Sequence, residues 1–256
     1  RVHVFGISVG GIYLQIGFAI VGLLCEYEIL NTIKKSGTKT IDIPVYILTL
    51  SLLPTYRLYG VKGVIFDYIL ITMAIFIFRI LDSRYDYKSV AYSILAIIYP
   101  QLFMLFVHMI TTLSDGATAA FLIALSVISA SASDTFAYFT GMLFGKHKMT
   151  PLLSPKKSWE GAVGGVVGAA ALTAIYTFLL KKPMGLTGRE ILILVLIAAA
   201  AAVISMFGDL AASAVKRNYE IKDYGKLIPG HGGILDRFDS VIITAPVIYY
   251  LATILL

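Results

Sequence analysis

Four aspartates carry the strongest chemical signal in this 256-residue chain: Asp134, Asp209, Asp236 and Asp239. Each lies in or beside a hydrophobic stretch, where a carboxylate is costly unless it faces a cavity, a partner or a metal ion. Oxygen ligands of this kind favour a hard, partly hydrated cation such as Mg²⁺ over zinc. The sequence therefore predicts metal-assisted chemistry at these acids.

The segment 205–240 joins three of these acids through a basic, glycine-rich stretch. Its first part is an apolar helix, and at 100° per residue four polar side chains fall within about 80° of one another on one face: Ser205, Asp209, Ser213 and Lys216. Beyond them, the stretch 229–233 (Pro-Gly-His-Gly-Gly) offers backbone amides that can wrap anionic oxygens. The segment has the composition of a phosphate-binding site beside metal-binding carboxylates.

A second basic segment contains Lys156 and Lys157, followed by Ser158 and a predicted helix. Serine is a preferred N-cap residue, and the free N–H groups at a helix N-terminus bind phosphate well. The alternative is a solvated loop whose lysines only follow the positive-inside pattern, and the residues alone leave both interpretations open. Four glycines at near-helical spacing are expected to permit close helix packing: Gly161, Gly164, Gly165 and Gly168.

Other polar residues in the apolar stretches receive simpler interpretations. Asp134 and Tyr138 are four apart and share a helical face. The serines of the same stretch, Ser126, Ser129, Ser131 and Ser133, are predicted to serve helix packing. Glu26 and Glu28 close the first predicted span, and we expect them at the membrane interface.

The elements that position these residues are predicted to be transmembrane helices. Hydrophobic residues make up 58% of the chain and charged residues 14%, with a mean hydropathy of +0.85, whereas soluble chains carry about 25% charged residues. Cys25 is the single cysteine, which excludes a disulfide framework and a cysteine zinc site. The predicted fold class is an all-α polytopic membrane protein of about eight spans: 12–30, 43–60, 63–81, 90–111, 117–144, 160–180, 190–215 and 238–256. Residues 2–9 are too short to cross and are expected to be a truncated or re-entrant segment.

Loop charges predict the orientation of the chain. The loops after the first, third, fifth and seventh spans, with the adjoining span ends, carry 15 lysines and arginines, and those after the second, fourth and sixth carry 5. The positive-inside rule places the first set in the cytoplasm, together with both basic segments. Residues 1–116 are expected to be scaffold and residues 117–256 the catalytic region of one integral membrane unit.

The C-terminal signature resembles that of the phosphatidate cytidylyltransferases (CDP-diacylglycerol synthases). The matching residues are Ser213, Lys216, Arg217, Lys222, Asp223, Gly225, Pro229, His231, Gly232, Gly233, Asp236, Arg237 and Asp239. Upstream, the family pattern also matches at 134–138, Gly141, 144–146 and 154–158. The resemblance covers about residues 131–240, and the N-terminal half is similar only in hydropathy.

This resemblance implies a bacterial-type enzyme that forms CDP-diacylglycerol and pyrophosphate from CTP and phosphatidic acid. The reaction would require Mg²⁺, and whether a second ion takes part is open. It also implies the bacterial cytoplasmic membrane, a homodimer and no nucleic-acid partner. Asp209 and Asp236 are expected to be the principal metal ligands. Asp134 and Asp239 are expected to be further ligands or to support them.

The remaining motif residues are expected to hold the substrates. The cationic groups expected to bind phosphates are Lys156, Lys157, Lys216, Arg217, Lys222, Arg237 and His231. Of these, Lys222 and Arg237 are also expected to be catalytic. The other predicted substrate-binding residues are Ser154, Ser158, Ser213, Asp223, Gly232 and Gly233.

Two other classes of function remain as alternatives. A CTP-dependent lipid kinase acting on a polyprenol or similar alcohol would need a base for the hydroxyl and would release CDP instead of pyrophosphate. A transporter or channel would spread its charged residues along a pathway through both halves of the chain. In this sequence the unusual charges concentrate in one half, which favours the cytidylyltransferase.

Overall fold

The computed structural model describes residues 3–4, 7–8, 12–112, 116–151, 153–227 and 232–255. Within these residues, seven helices are long and apolar enough to cross a membrane. Strands are limited there to two pairs of short antiparallel strands, the first joining β1 (His3–Val4) to β2 (Ile7–Ser8). The predicted all-α polytopic membrane fold is confirmed.

The first two helices are α1 (Ile12–Lys35) and α2 (Asp42–Leu81), and α2 holds two of the predicted spans. Its 40 residues are interrupted at Gly60, where φ is +64° and only glycine is unstrained. A Cβ on Gly63 would come within 2.8 Å of the Thr55 side chain, although residues eight apart in a straight helix are about 12 Å apart. The chain therefore turns sharply at Gly60, and the limbs before and after it match the predicted spans 43–60 and 63–81.

The fourth predicted span is a composite helix. It consists of α3 (Tyr87–Ala96), a π-helical turn (Ile97–Leu102) and α4 (Phe103–Thr111). Pro100 lies in the π-helical turn and has no N–H to donate to the helical ladder. The Gln101 amide within this turn donates to the Gly22 carbonyl of α1 at 3.0 Å, which joins the two helices in the apolar interior.

The C-terminal half contributes the other long helices and one short one. The helices are α5 (Gly116–Phe144), α6 (Trp159–Leu179), α7 (Lys181–Met184), α8 (Gly188–Asn218) and α9 (Leu235–Leu255). Between α5 and α6 the chain forms a β-hairpin of β3 (Lys148–Thr150) and β4 (Ser154–Ser158). The predicted basic loop is therefore a hairpin whose second strand carries Lys156 and Lys157.

The chain divides into two compact units. The first unit comprises Ile12–His108 and Tyr219–Arg237, and the second comprises Arg1–Gly11, Met109–Asn218 and Phe238–Leu256. The segment that carries the C-terminal signature (the signature segment, residues 213–239) therefore contributes to both units. The predicted division at residue 116 stays a prediction.

Helices α5 and α6 of the second unit pack closely through glycines. A methyl group on Gly164 would overlap the Thr140 side chain, and one on Gly168 would overlap the Phe136 ring. At Gly165 it would lie 2.7 Å from the Ser133 carbonyl oxygen. The expectation that these glycines permit close helix packing is confirmed, and the packing fixes the distance between the residues that the two helices carry.

Candidate active site

A cavity of about 200 Å³ in the second unit brings together side chains from α5, the β-hairpin and α8. Its polar and charged lining residues are Asp134, Tyr138, Lys156, Lys157, Ser158 and Asp209. Met149 and Met206 are among its apolar lining residues. Residues predicted from three separate stretches of sequence thus share one cavity, with both charge signs on its wall.

An ion pair inside this cavity joins the second basic segment to the segment 205–240. The Lys157 ammonium lies 2.5 Å from the Asp209 carboxylate, with side chains 26% and 28% exposed. The same ammonium donates to the Met206 carbonyl at 3.4 Å. Because both partners remain accessible and are joined through side chains, either can exchange its partner for a ligand without a change of backbone structure.

Two further acids adjoin Asp209. Asp134 and Asp239 both lie within electrostatic range of it. Ser240 links them, since its hydroxyl donates to Asp134 at 3.3 Å and its backbone N–H donates to Asp239 at 2.7 Å. Asp239 is only 6% exposed. The second unit therefore holds three of the four predicted acids within electrostatic range of one another, and two of them, Asp134 and Asp209, line the cavity.

The donor set of this cavity suits a hard cation. Among the residues that the structure describes, no three histidine, cysteine, aspartate or glutamate side chains form a ready-made metal cage. Mg²⁺ commonly binds through one or two carboxylates and completes its shell with water and substrate phosphates. Asp209, with Asp134 beside it, meets that requirement.

Ser158 ends β4 and caps α6, as predicted. Its backbone is extended, and its side chain accepts the Gly161 N–H at 3.2 Å. Glycines from two helices surround the hydroxyl, because a Cβ on Gly141, Gly145 or Gly161 would lie 3.1, 2.7 or 3.1 Å from it. The start of α6 and its free amides are thereby held against the end of α5, at the wall of the cavity.

The chain between α5 and β3 is fixed to the start of α6. The Glu160 carboxylate accepts backbone N–H groups from Lys146 and His147 and lies 2.6 Å from the His147 ring. The Trp159 N–H donates to the His147 carbonyl at 3.0 Å. These bonds close the base of the β-hairpin that carries Lys156 and Lys157.

A second cavity, of about 680 Å³, lies in the first unit. It is bounded by the end of α1 and by the segment 221–227, and its charged or polar lining residues are Tyr27, Glu28, Asn31, Lys35, Lys222, Asp223, Tyr224 and Lys226. Three lysines against two acids give this wall an excess of positive charge. It contains Lys222 and Asp223, which the sequence predicted as catalytic and substrate-binding residues.

Asp236 organises the same segment from the first turn of α9. Its Oδ2 atom accepts the backbone N–H of Tyr224 at 2.8 Å and that of Gly233 at 3.0 Å. Between them, Gly232 has φ +84°, a conformation that favours glycine. In this structure the carboxylate orders the signature segment, and its predicted role as a metal ligand stays a prediction.

Glu28 is the residue that sequence reasoning missed. It is only 4% exposed, and its carboxylate accepts the N–H of Ile234 at 2.9 Å and of Leu235 at 2.8 Å. Glu26 is fully buried and accepts the Thr49 hydroxyl at 3.1 Å. Both acids are therefore buried within the protein, and their predicted position at the membrane interface stays a prediction. Nothing near Glu28 in the sequence pointed to a partner 206 residues later.

The other predicted residues are distributed along the same elements. Ser213, Lys216 and Arg217 follow Asp209 on α8, and Lys216 lies within electrostatic range of Asp239. Ser154 begins β4, and Arg237 lies exposed in the first turn of α9. His231 lies outside the described residues, as do its neighbours 228–230.

Comparison with known proteins places this chain in a family. The chain is 38% identical to a phosphatidate cytidylyltransferase of Thermotoga maritima over 174 residues, covering 68% of this chain and 63% of that protein. It is 31% identical to that of Bacillus subtilis over 265 residues, covering 98% and 92%. For that of Mycobacterium leprae the identity is 40%, over 60% of this chain and 46% of the relative.

The match to the family as a whole extends over nearly every residue. The model of the cytidylyltransferase family matches residues 1–255. The match therefore includes the N-terminal half, whose resemblance to the family in the sequence was limited to hydropathy. Several relatives are longer than the region they share with this chain, which spans from about half to nine-tenths of their lengths. Both charged cavities lie within the matched region, and the chain belongs to the cytidylyltransferase family.

Proposed function

We propose that the protein transfers the cytidylyl group of CTP to phosphatidic acid, giving CDP-diacylglycerol and pyrophosphate. The observation that carries the proposal is the cavity of the second unit, where the Asp209–Lys157 ion pair, Asp134 and the capped start of α6 meet. Asp134, Lys157 and Ser158 belong to the upstream pattern that resembles the family, and Asp209 lies on α8 four residues before the C-terminal signature begins. The relatives named above are phosphatidate cytidylyltransferases, which supports the same substrates for this chain.

The acceptor in this reaction needs little activation. The second pKa of a phosphate monoester is about 6, so phosphatidate is largely dianionic at neutral pH. One of its oxygens forms a bond to the α-phosphorus of CTP, while the bond from that phosphorus to the α–β bridging oxygen breaks. The bond electrons leave with pyrophosphate, and no proton has to be removed by a strong base.

The main barrier is electrostatic, because two polyanions must approach and charge develops on the leaving group. Cationic side chains and helix N–H groups aimed at those oxygens lower the barrier without reorganisation. In the second unit Lys156 and Lys157 and the start of α6 provide such groups. When a phosphate enters the cavity, Lys157 can leave Asp209 and bind it.

The residues also fit the Mg²⁺ ion that the proposed reaction requires. Bound Mg²⁺ would neutralise phosphate charge and orient the oxygens that react. We propose that Asp209 and Asp236 are the principal ligands. Asp134 is a further candidate, and Asp239 would support the group through Ser240, with the presence of a second ion left open.

The remaining motif residues are proposed to hold the two substrates. Lys222 and Asp223 would act in the first-unit cavity, where Lys35 and Lys226 add positive charge. Further groups proposed to bind phosphates or the nucleotide are Ser154, Ser158, Ser213, Lys216, Arg217, His231, Gly232, Gly233 and Arg237.

The chain is a multi-pass membrane protein, and we propose that it lies in the bacterial cytoplasmic membrane as a homodimer. The charge difference between the two sets of loops supports a cytoplasmic position for both basic segments. CTP would then enter from the cytoplasm, while phosphatidic acid would arrive laterally from the lipid.

The decisive experiment follows the label of CTP in the purified protein with Mg²⁺ and, in parallel reactions, phosphatidic acid or a polyprenol as the lipid acceptor. Label at the α-phosphorus is expected in the chloroform-extractable lipid, with one pyrophosphate released for each lipid formed. Label from the γ-phosphorus in the lipid, with release of CDP, would instead identify a lipid kinase. Absence of any nucleotide turnover would overturn both enzyme assignments and favour transport.

A further inference from the structure

Glu28 is a buried acid that no motif includes. It lies in α1 within the N-terminal half, and its two oxygens accept the N–H groups of Ile234 and Leu235 at 2.9 and 2.8 Å. Leu235 is the first residue of α9. A carboxylate at this position satisfies helix N–H groups that have no partner within the helix and complements the positive end of the helix dipole.

Two glycines make room for this carboxylate. A methyl group on Gly225 would overlap Glu28 Oε1, and one on Gly233 would overlap Oε2. Both glycines belong to the signature segment. Gly225 directly follows Tyr224, whose N–H donates to Asp236, and Gly233 itself donates its N–H to Asp236. The segment therefore contacts Glu28 from two directions, and only residues without a side chain allow that approach.

The neighbouring contacts connect Glu28 to the predicted site. Asp236 directly follows Leu235, and its carboxylate holds the N–H groups of Tyr224 and Gly233. Thr32, one turn beyond Glu28 on α1, donates its hydroxyl to the Tyr224 carbonyl at 3.4 Å. Glu28 also lines the cavity that contains Lys222. A displacement of Glu28 would therefore move both Asp236 and the wall that carries Lys222.

We propose that Glu28 is a positioning residue for the signature segment, acting through the N–H groups at the start of α9. It sets the conformation in which Asp236 and Lys222 face the substrates. Its effect on activity rests on the proposed cytidylyltransferase function, whereas its effect on the segment does not. The N-terminal half thus supplies one of the groups that build the active site.

The main test compares Glu28→Gln with Glu26→Gln, a second buried acid on the same helix. Glutamine keeps the size of Glu28 but replaces one acceptor oxygen with an NH₂ group, which cannot accept an N–H. Hydrogen–deuterium exchange of peptides covering 222–237 should therefore speed up in Glu28→Gln. Glu26 bonds Thr49 and not the signature segment, so Glu26→Gln should leave that exchange unchanged.

Kinetics provide the second readout. Loss of groups that orient metal ligands typically costs about 10–100-fold in activity or metal affinity. We expect Glu28→Gln to lower kcat by about that factor and to raise the Mg²⁺ concentration for half-maximal activity, with the KM for phosphatidic acid unchanged. Unchanged exchange at 222–237, or wild-type kcat and Mg²⁺ dependence, would overturn the proposal.

If Glu28→Gln fails to fold, a second pair of variants tests the contact between Glu28 and Gly225. Gly225→Ala should lose activity because its methyl group overlaps Glu28, and Glu28→Asp in the same chain should restore part of it by shortening the side chain. Failure of the double variant to exceed Gly225→Ala would overturn the contact. If the wild-type protein showed no CTP turnover, the proposed function would fail, while the exchange result would still decide the role of Glu28.

Discussion

Asp209 in the second unit and two acids of the first unit, Glu28 and Asp236, have opposite kinds of partner. In the second unit, Asp209 has a side-chain partner, the Lys157 ammonium at 2.5 Å, and both side chains are partly exposed. In the first unit, Glu28 and Asp236 accept backbone N–H groups at 2.8 to 3.0 Å. A side-chain ion pair can be exchanged for a ligand by rotation, whereas a backbone bond cannot be released without loosening the segment.

This difference separates acids that can exchange their partner for a ligand from acids that hold the backbone in place. A substrate phosphate can attract Lys157 away from Asp209 and leave a carboxylate ready for a cation. The Oδ2 atom of Asp236 holds two amides, so any metal bound to Asp236 would share the carboxylate with the backbone. Burial or motif membership alone does not make this distinction, and the identity of the hydrogen-bond partner does.

The largest expected effect is that of Asp209→Asn. Removal of one preorganised electrostatic group from an active site typically lowers kcat by about 10²–10³-fold. The asparagine variant should retain the thermal unfolding midpoint, because the partner of Asp209 is a partly exposed side chain and such ion pairs contribute little to stability. Incorporation of α-labelled CTP into lipid measures the first effect and a melting curve in detergent the second. The control is Asp82→Asn, which removes a partly exposed acid paired with Arg84 and should preserve activity. Wild-type turnover in Asp209→Asn would contradict its assignment as a metal ligand.

Asp236→Asn should differ by lowering activity and stability together. Hydrogen bonds to a charged group contribute about 1.5–3 kcal/mol, and the loss of the charge weakens those from Tyr224 and Gly233. Asp86→Asn is the matched control, since Asp86 accepts the Ser89 N–H at 2.7 Å in the same unit but lies in no predicted site. It should lower the melting midpoint and leave kcat unchanged. A variant of Asp236 with normal stability would remove the distinction between Asp236 and Asp209.

Much of the fold could be predicted because the controlling forces act locally. Apolar runs of membrane-spanning length gave the helices, and the break at Gly60 matches the predicted gap between two spans. Ser158 was identified as an N-cap because capping needs only a residue type before a helix. The sequence assigned Asp134, Lys157 and Asp209 to one predicted site, and the structure adds the ion pair between Lys157 and Asp209.

Long-range contacts could not be predicted in the same way. A glutamate at the end of an apolar span has the same local sequence whether it faces lipid headgroups or accepts N–H groups 206 residues away. The β-hairpin was missed because β3 and β4 are short and lysine-rich, which resembles an ordinary basic loop. In each case the missing information was the partner, which a single sequence does not contain.

Gly168→Ala tests how the second-unit cavity depends on the packing of α5 against α6. The added methyl group would overlap the Phe136 ring, and overpacking of this kind costs about 1–3 kcal/mol. The melting midpoint should fall, and activity should fall with it because Asp134 and Lys157 move apart. Gly17→Ala is the control, since nothing lies within 4 Å of its Cβ position in α1 and alanine favours helix by about 0.5–1 kcal/mol. Equal stability of both variants would show that the glycines are not required for packing.

The smallest expected effect comes from the N-cap of α6. Loss of an N-cap side chain costs about 1 kcal/mol, so Ser158→Ala and Thr187→Ala should lower the melting midpoint by similar amounts; Thr187 caps α8 by accepting the Glu190 N–H at 3.2 Å. Ser158 lines the cavity and Thr187 does not, so Ser158→Ala alone should raise the KM for CTP. An equal KM in both variants would mean that the start of α6 serves only stability. A difference in KM at equal stability would support the proposal that its free N–H groups bind a substrate phosphate.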